Sequence, residues 1–295
     1  MPVNEPAARA GADPDALARV LAHLVRVGLF AAPSAGTIAL NRVSRTCLLS
    51  GTPSSRAAEF HTDGVGPRLE TALASMLHSV RTGEAAYPVV HGRELWEEMA
   101  EDPVLTASFD VEMERHARAI VRGLVRARDW ALVRHLVDVG GGTGELSLGL
   151  VAALPSISVT LVEYADAARR ASAALVRSGL AERYRVVEGS FFEPLPSGGD
   201  AYLLAWVLHD WPDREAARIL ARCRQAVGTS GSVLLIEKRQ EIEEDTDLDL
   251  RMLTFFGGRE RTTQEYRALG AASGLALQGV TPIGSGFSLF DFSPV

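Results

Sequence analysis

The sequence predicts an α/β fold: a mostly parallel sheet with helices on both faces, which ends in an antiparallel hairpin. Two observations predict it. From about residue 128, short apolar runs alternate with helical patterns, as is typical of consecutive βαβ units. The last two apolar runs, residues 275–283 and 287–292, are separated by Gly284, Ser285 and Gly286, which is a hairpin signal. The part before residue 128 is predicted to be mainly helical.

The composition is that of an ordinary globular protein. The chain has 295 residues, of which 47% are hydrophobic and 23% charged, and this length is sufficient for two domains. Its net charge of −7 argues against a nucleic-acid partner. No apolar run approaches the roughly 20 residues that a membrane span needs, and residues 1–11 do not resemble a signal peptide. We therefore expect a cytoplasmic protein that neither binds nor crosses a membrane.

The two cysteines predict neither a disulfide nor a metal site. Cys47 and Cys223 lie far apart and have no metal-ligand spacing. We therefore expect free thiols and no bound metal.

The first helix is predicted to start at Asp13 and Pro14, an N-cap followed by proline at the first helical position. Apolar residues then recur at helical spacing until Gly28 ends the helix, and a short ribbon follows around residues 29–30 and 37–40. A helix followed by a ribbon is typical of a winged helix, which can bind DNA. The first 60 residues hold six arginines and four acidic residues. Positive and negative charges are too nearly balanced for a DNA-binding surface, so a role in dimerisation is the favoured interpretation.

A loop and three helices are predicted next. The loop covers residues 53–65, and the helices cover residues 67–80, 94–100 and 102–126. The third helix is predicted to connect the two parts of the chain, because it is long and carries one apolar stripe. The predicted domains are residues 1–127 and 128–295.

Five strands are predicted before the hairpin. They cover residues 136–139, 159–162, 184–187, 201–208 and 232–236, with helices at 145–154, 165–178 and 213–227. The fourth strand is almost continuously apolar, which is typical of a central strand that is covered on both faces.

A glycine-rich turn, DVGGGTG, follows the first of these strands. Its glycines, Gly140, Gly142 and Gly144, have the spacing G-x-G-x-G instead of the G-x-G-x-x-G of dinucleotide-binding turns. Asp138 would repel a phosphate but suits a ligand with an ammonium group. Glu163, after the next strand, can accept hydrogen bonds from two ribose hydroxyls. These features favour S-adenosylmethionine over a dinucleotide as the ligand.

Polar residues at other strand ends are candidates for catalysis. His209 follows an apolar strand, so it is either a proton acceptor at the rim of the sheet or a cap of the strand or of the next helix. Glu237 follows the neighbouring strand and either orients the imidazole or pairs with Lys238 at the surface. Glu260, in the loop before the last helix, is either a second orienting carboxylate or an ion-pair partner of the arginines beside it.

Three stretches resemble the small-molecule O-methyltransferases of the plant caffeate and bacterial antibiotic-biosynthesis type. They are DVGGGTG at 138–144, LLAWVLHDWPD at 203–213 and GGRERT at 257–262, and the resemblance extends over most of the chain. It implies a Rossmann-like class I methyltransferase sheet, preceded by a mainly α-helical winged-helix dimerisation domain. It further implies a homodimer that uses S-adenosylmethionine, releases S-adenosylhomocysteine and methylates an aromatic or polyketide-like hydroxyl in secondary metabolism.

The resemblance also implies roles for individual residues. His209 matches the general base of the family, and Glu237 and Glu260 match the acids that flank it. The implied cofactor-binding residues are Asp138, Gly140, Gly142, Glu163, Gly189, Ser190, Phe191, Ala205 and Trp206. The implied substrate contacts are Met113, Asp210, Met252 and Phe256. The large apolar side chains of Trp96 and Phe255 are expected in the same pocket, since they suit a flat hydrophobic acceptor.

This chain departs from the family pattern in three ways. Members usually have aspartate where Ser190 stands, and often lysine or another polar residue where Ala205 stands. Fewer residues precede the winged-helix segment than in relatives, which is expected to open the site or weaken the dimer. An alternative is therefore kept: a member that binds the cofactor but catalyses a hydroxylation, decarboxylation or pericyclic step. A DNA-binding regulator is the third hypothesis.

Overall fold

The computed structural model describes residues 1–2, 4–49, 61–242 and 246–295. They form two compact units, Met1–Thr62 and Asp63–Val295. Most of the loop predicted at residues 53–65 lies outside the described residues. No helix in the described ranges is long and apolar enough to cross a membrane. The predicted domain boundary near residue 128 stays a prediction.

The smaller unit contains the predicted first helix and ribbon. Its elements are α1 (Asn4–Ala10), α2 (Pro14–Arg26), β1 (Phe30–Ala31), β2 (Ala39–Leu40) and α3 (Arg42–Leu48). Asp13 caps α2, since its carboxylate accepts the N–H of Ala16 at 2.8 Å, and Pro14 follows at the first helical position. The sequence analysis missed α1 and α3. A capping box between Asn41 and Ser44 starts α3.

Five helices open the larger unit. They are α4 (Val65–Leu73), α5 (Met76–Thr82), α6 (Tyr87–His91), α7 (Leu95–Glu101) and α8 (Pro103–Ala127). The prediction of a single helix over residues 67–80 is wrong, because the helix is interrupted between α4 and α5. At this point the N–H of Ser75 donates to the carbonyl of Ala72, three residues back, at 2.9 Å. The long helix α8 starts as predicted, because Asp102 accepts the N–H groups of Val104 and Leu105.

Seven strands of the described chain form one sheet. They are β3 (His135–Val139), β4 (Ser158–Glu163), β5 (Tyr184–Glu188), β6 (Ala201–Ala205), β7 (Ser232–Lys238), β8 (Leu275–Gly284) and β9 (Phe287–Pro294). The strand order is β5-β4-β3-β6-β7-β9-β8. The first five strands pair in parallel, whereas β9 is antiparallel to both β7 and β8. The predicted α/β class with a C-terminal antiparallel hairpin is confirmed.

Helices cover both faces of this sheet. They are α9 (Glu145–Ala153), α10 (Ala165–Ser178), α11 (Asp213–Ala226) and α13 (Thr263–Ala272), whereas α12 (Asp247–Phe256) packs against α4, α5 and α6. On one face Leu136 and Leu203 belong to an apolar cluster with side chains of α8 and α9. On the other face Val137 and Tyr202 pack with side chains of α11 and α13. The strands are therefore buried on both sides, as their apolar composition predicts.

The fourth parallel strand is shorter than predicted. The sequence analysis extended it over residues 201–208, but β6 ends at Ala205. Trp206 has φ of 56°, a left-handed conformation that a non-glycine residue adopts at a cost of about 1–2 kcal/mol. The chain turns there and enters a 3₁₀ turn at Leu208–Asp210. His209 therefore lies on this turn, beyond the edge of the sheet.

Candidate active site

The glycine-rich turn between β3 and α9 has the backbone shape that its sequence predicts. Gly140, Gly142 and Gly144 have φ of 73°, 59° and 79°, in the left-handed region where glycine meets no steric penalty. A Cβ on Gly142 would meet no atom within 4 Å, so the space beside this residue is open. A Cβ on Gly140 would lie 3.1 Å from Val207 Cγ2, close to Phe191. The turn thus exposes its backbone to a ligand.

Asp138 brings an unpaired acceptor to this turn. Its side chain is buried, and its Oδ2 has no hydrogen-bond partner among the described residues. Burial raises the pKa of Asp138 to about 6. An unsatisfied buried acceptor is costly, so this carboxylate is suited to a ligand that brings a donor or a positive charge.

Glu163 ends β4 and is bonded to the same turn. Its Oε1 accepts the N–H of Gly142 at 3.3 Å, and its Oε2 accepts the N–H of Tyr164 at 2.6 Å. Burial raises the pKa of Glu163 to about 7, although both N–H groups oppose the shift. Each carboxylate oxygen keeps acceptor capacity, so the group can take two hydroxyls of one ligand.

Aromatic side chains surround Ser190, one of the predicted cofactor contacts. Its hydroxyl lies 3.1 Å from the hydroxyl of Tyr164 and accepts the N–H of Phe192 at 3.2 Å. The ring of Phe191 packs edge-on against Tyr164 at 5.7 Å and against Trp211 at 5.9 Å. Such a group suits a flat heterocycle. Tyr164 and Trp211 were not predicted from the sequence, although Trp211 lies in the LLAWVLHDWPD stretch that carries the resemblance.

The remaining predicted cofactor contacts, Gly189, Ala205 and Trp206, also lie near strand ends. Gly189 donates its N–H to the carbonyl of Glu163 at 2.9 Å. Ala205 belongs to the apolar cluster under α8. The indole Nε1 of Trp206 is buried and lacks an acceptor in the described part of the chain. Its ring packs against Phe287 at 5.3 Å.

His209 lies among carboxylates that come from three separate segments. Its Nδ1 is 2.7 Å from Oε1 of Glu260 and 3.7 Å from Oε2 of Glu237, and its Nε2 is 3.5 Å from Oδ1 of Asp210. Glu237 is fully buried, so the alternative of a surface ion pair with Lys238 is wrong. The structure therefore brings the three predicted catalytic residues together. Their catalytic roles stay a prediction.

These carboxylates set the electrostatics of the histidine. Burial alone would lower the pKa of His209, but Glu237, Asp210 and Glu260 outweigh burial and raise it to about 10. Burial raises the pKa of both Asp210 and Glu237 to about 7, although the positive imidazolium lowers each. The arrangement therefore stabilises a proton on the imidazole.

Three of the four predicted substrate contacts lie on α8 and α12, and the fourth, Asp210, lies on the 3₁₀ turn beside His209. On α12, Phe256 stacks on Trp96 with a centroid distance of 5.1 Å, and Trp96 meets Phe109 edge-on at 5.6 Å. Met252, also on α12, is buried in the apolar cluster to which Phe109 and Phe256 belong. Met113 lies on α8, next to Glu114, which accepts a hydrogen bond from Thr143 of the glycine-rich turn at 3.3 Å.

Comparisons with known proteins match most of the chain. The model of a family described as an O-methyltransferase domain matches residues 72–276. A 2,7-dihydroxy-5-methyl-1-naphthoate 7-O-methyltransferase of Streptomyces carzinostaticus is 42% identical over 95% of this chain and 84% of that protein. An aclacinomycin 10-hydroxylase of Streptomyces purpurascens is 38% identical over 97% of this chain and 78% of that protein.

Solved structures give the same result for the fold. An O-methyltransferase from neocarzinostatin biosynthesis, crystallised with S-adenosylmethionine and 2-hydroxy-5-methyl naphthoic acid, superposes with a TM-score of 0.94. It is 39% identical, and the match covers 100% of this chain and 89% of that one.

Proposed function

The chain belongs to the O-methyltransferase domain family, and from this membership we propose that it transfers a methyl group from S-adenosylmethionine to a hydroxyl of an aromatic small molecule. The observation that carries the proposal is the contact of 2.7 Å between Nδ1 of His209 and Glu260, since it leaves Nε2 as the nitrogen for the proton of the acceptor.

The residues around the glycine-rich turn fit this cofactor. Asp138 offers a buried unpaired acceptor to its ammonium group, and Glu163 offers two oxygens to its ribose hydroxyls. The rings of Tyr164, Phe191 and Trp211 suit its adenine. When bound, this cofactor supplies a methyl group made electrophilic by a positively charged sulfur.

The protein then has to align the acceptor hydroxyl and remove its proton. Glu260 fixes the imidazole by accepting the proton of Nδ1, so in the neutral imidazole Nε2 of His209 is the nitrogen that accepts the proton of the hydroxyl. The carboxylates of Glu237 and Asp210 stabilise the imidazolium that results. Because they raise the pKa of His209 to about 10, the rate should increase with pH between about 7 and 10.

We propose a planar, hydrophobic acceptor such as a hydroxynaphthoic acid. The stacked pair Trp96 and Phe256, with Phe109 edge-on, presents aromatic surface to such a ring. The comparisons support this class, because a similar sequence is named as a methyltransferase of a dihydroxynaphthoate and a similar structure was crystallised with a naphthoic acid.

The experiment compares the wild-type protein with His209→Ala on a panel of hydroxynaphthoic acids, with products identified by mass spectrometry. The wild type should add one methylene to the mass, and His209→Ala should lose this activity while its S-adenosylhomocysteine affinity stays within a few-fold. His23→Ala, an exposed histidine of α2, is the control. Full activity of His209→Ala would refute the base assignment. Addition of an oxygen atom instead would favour the chemistry named for the hydroxylase relative.

A cytoplasmic homodimer without nucleic-acid or membrane partners is also part of the proposal. Support comes from exposed apolar side chains on adjoining helices, Leu77 and Val80 on α5 and Val89 on α6. The net charge of −7 supports the absence of a nucleic-acid partner. Light scattering should give a dimer mass for the wild type and a monomer mass for the double variant Leu77→Glu, Val80→Glu; a monomeric wild type would refute the dimer.

A further inference from the structure

Arg261 is the largest fully buried side chain in the described part of the larger unit, and it lies outside the set of residues proposed to contact the cofactor or the acceptor. Its Nη1 donates to the carbonyl of Leu208 and its Nη2 to the carbonyl of Trp211, both at 2.8 Å. Its Nε donates to Oδ1 of Asp213 at 2.9 Å. All three partners lie in the segment that carries His209. Such bonds from a charged donor are stronger than neutral ones, and the planar fork fixes their directions.

The residue before His209 is held from both sides. Its N–H donates to Oε1 of Glu237 at 2.9 Å, whereas its carbonyl accepts from Arg261. The carbonyl of His209 itself accepts the backbone N–H of Arg259 at 2.8 Å. A Cβ on Gly258 would lie 2.1 Å from that carbonyl oxygen, so this loop approaches the 3₁₀ turn as closely as only glycine allows.

Arg261 also follows Glu260 directly in the chain. The loop that supplies the carboxylate on Nδ1 of His209 therefore supplies the guanidinium that holds the turn. Because Glu260 and Arg261 are adjacent, a shift of the turn relative to this loop changes the contact of 2.7 Å between His209 and Glu260.

We propose that Arg261 is a positioning residue for His209: it fixes the 3₁₀ turn at Leu208–Asp210 against the loop of Glu260, and so sets the orientation of the base. The inference rests on the proposed role of His209 as general base. Arg261 acts on the reaction only through the turn, since its donors are bound to Leu208, Trp211 and Asp213.

The test is Arg261→Lys, which keeps the positive charge but loses the planar fork that reaches three acceptors. We expect kcat to fall by about 10- to 100-fold, since a displacement of about 1 Å can cost on the order of 100-fold in rate. The acceptor KM and the Kd of S-adenosylhomocysteine should each stay within about 3-fold of the wild type. This change is far smaller than the change in kcat that a misplaced catalytic group produces. The matched control is Arg259→Lys in the same loop, whose exposed side chain pairs with Glu265 and Asp213.

Two readouts separate positioning from a merely structural role. First, kcat is expressed per site that binds S-adenosylhomocysteine, as counted by calorimetry. Second, the rising limb of the kcat/KM profile, which is set by deprotonation of the base, should move to lower pH in Arg261→Lys, because a weaker bond to Glu260 raises the pKa of His209 less. A normal kcat per site with an unmoved limb would overturn the inference. Activity in His209→Ala would instead overturn the proposed function, so the two failures are distinguishable.

Asp213→Ala keeps the inference testable if Arg261→Lys does not fold. Asp213 is largely exposed, so its removal perturbs the core little, but it frees one of the three bonds of Arg261. Because Arg261 loses only one of its three hydrogen bonds, we expect a smaller fall in kcat per binding site, about 2- to 10-fold. The limb of the kcat/KM profile should again move to lower pH. If kcat per binding site is the same in Asp213→Ala, in Arg259→Lys and in the wild type, the inference is overturned.

Discussion

Replacing Glu237 with glutamine should shift the pH dependence of the enzyme to lower pH. Glu237 lies 3.7 Å from Nδ1 of His209, and of the neighbouring charges its charge raises the pKa of this histidine most. At an effective dielectric constant of about 20, two unit charges at this distance interact by about 4.5 kcal/mol, or about 3 pH units. Glutamine removes the charge but keeps an oxygen for the N–H of Leu208, which now bonds Glu237 at 2.9 Å.

The assay is the kcat/KM profile for one hydroxynaphthoic acid between about pH 6 and 10.5, since this ratio reports the pKa values of the free enzyme. Burial still lowers the pKa of His209 in the variant, while less negative charge raises it. The midpoint of the rising limb, where His209 loses its proton, should therefore fall from about 10 by about 1–3 pH units. Glu188→Gln, at the exposed end of β5, is the matched control and should leave the limb in place. An unmoved or raised midpoint in Glu237→Gln would refute the electrostatic account.

Three further predictions concern the glycines and Glu163. Gly142→Ala should cost about 1–2 kcal/mol of stability, because the φ of this residue is 59°. The added methyl group fills the open space beside the turn, so it should weaken the binding of S-adenosylhomocysteine at least tenfold, and unchanged affinity in calorimetry would contradict this. The affinity of the wild type should fall as the pH drops below about 7, since Glu163 then takes up a proton. Glu163→Gln should bind more weakly and lose the decline near pH 7, keeping only the decline near pH 6 at which Asp138 takes up its proton; a variant that keeps the decline near pH 7 would exclude Glu163 as the group responsible. Gly258→Ala should lower kcat at least tenfold without weakening cofactor binding, because its Cβ would lie 2.1 Å from the carbonyl oxygen of His209; normal kinetics would show that the close contact is dispensable.

Most strands could be predicted from the sequence because apolar runs mark them directly. Predicted residues 136–139 and 232–236 correspond to β3 (His135–Val139) and β7 (Ser232–Lys238). The end of β6 was missed, because the left-handed backbone of Trp206 leaves no trace in an apolar pattern. Helix α12 was also missed, since no side chain caps its start and its first residues alternate acidic and apolar as in a strand.

The candidate site was predictable where strand ends define it. Asp138, Glu163 and Glu237 end parallel strands, and such ends meet at one edge of the sheet. For Glu260 the local pattern allowed either an orienting carboxylate or an ion-pair partner of the neighbouring arginines, and only the resemblance favoured the first, because the contact depends on a loop distant in sequence. Arg261 lies in the GGRERT stretch, but nothing in the sequence indicated its burial, since an arginine between polar neighbours is typical of a solvated loop.

The central claim is methyl transfer from S-adenosylmethionine to an aromatic hydroxyl with His209 as the base. The most direct test uses S-adenosylmethionine with a deuterated methyl group and a hydroxynaphthoic acid, with the product analysed by mass spectrometry. The account predicts one labelled methyl group on the acceptor oxygen with the wild type, and none with His209→Ala. If the protein still binds S-adenosylhomocysteine but no acid in the panel of hydroxynaphthoic acids gains a labelled methyl group, the account is contradicted.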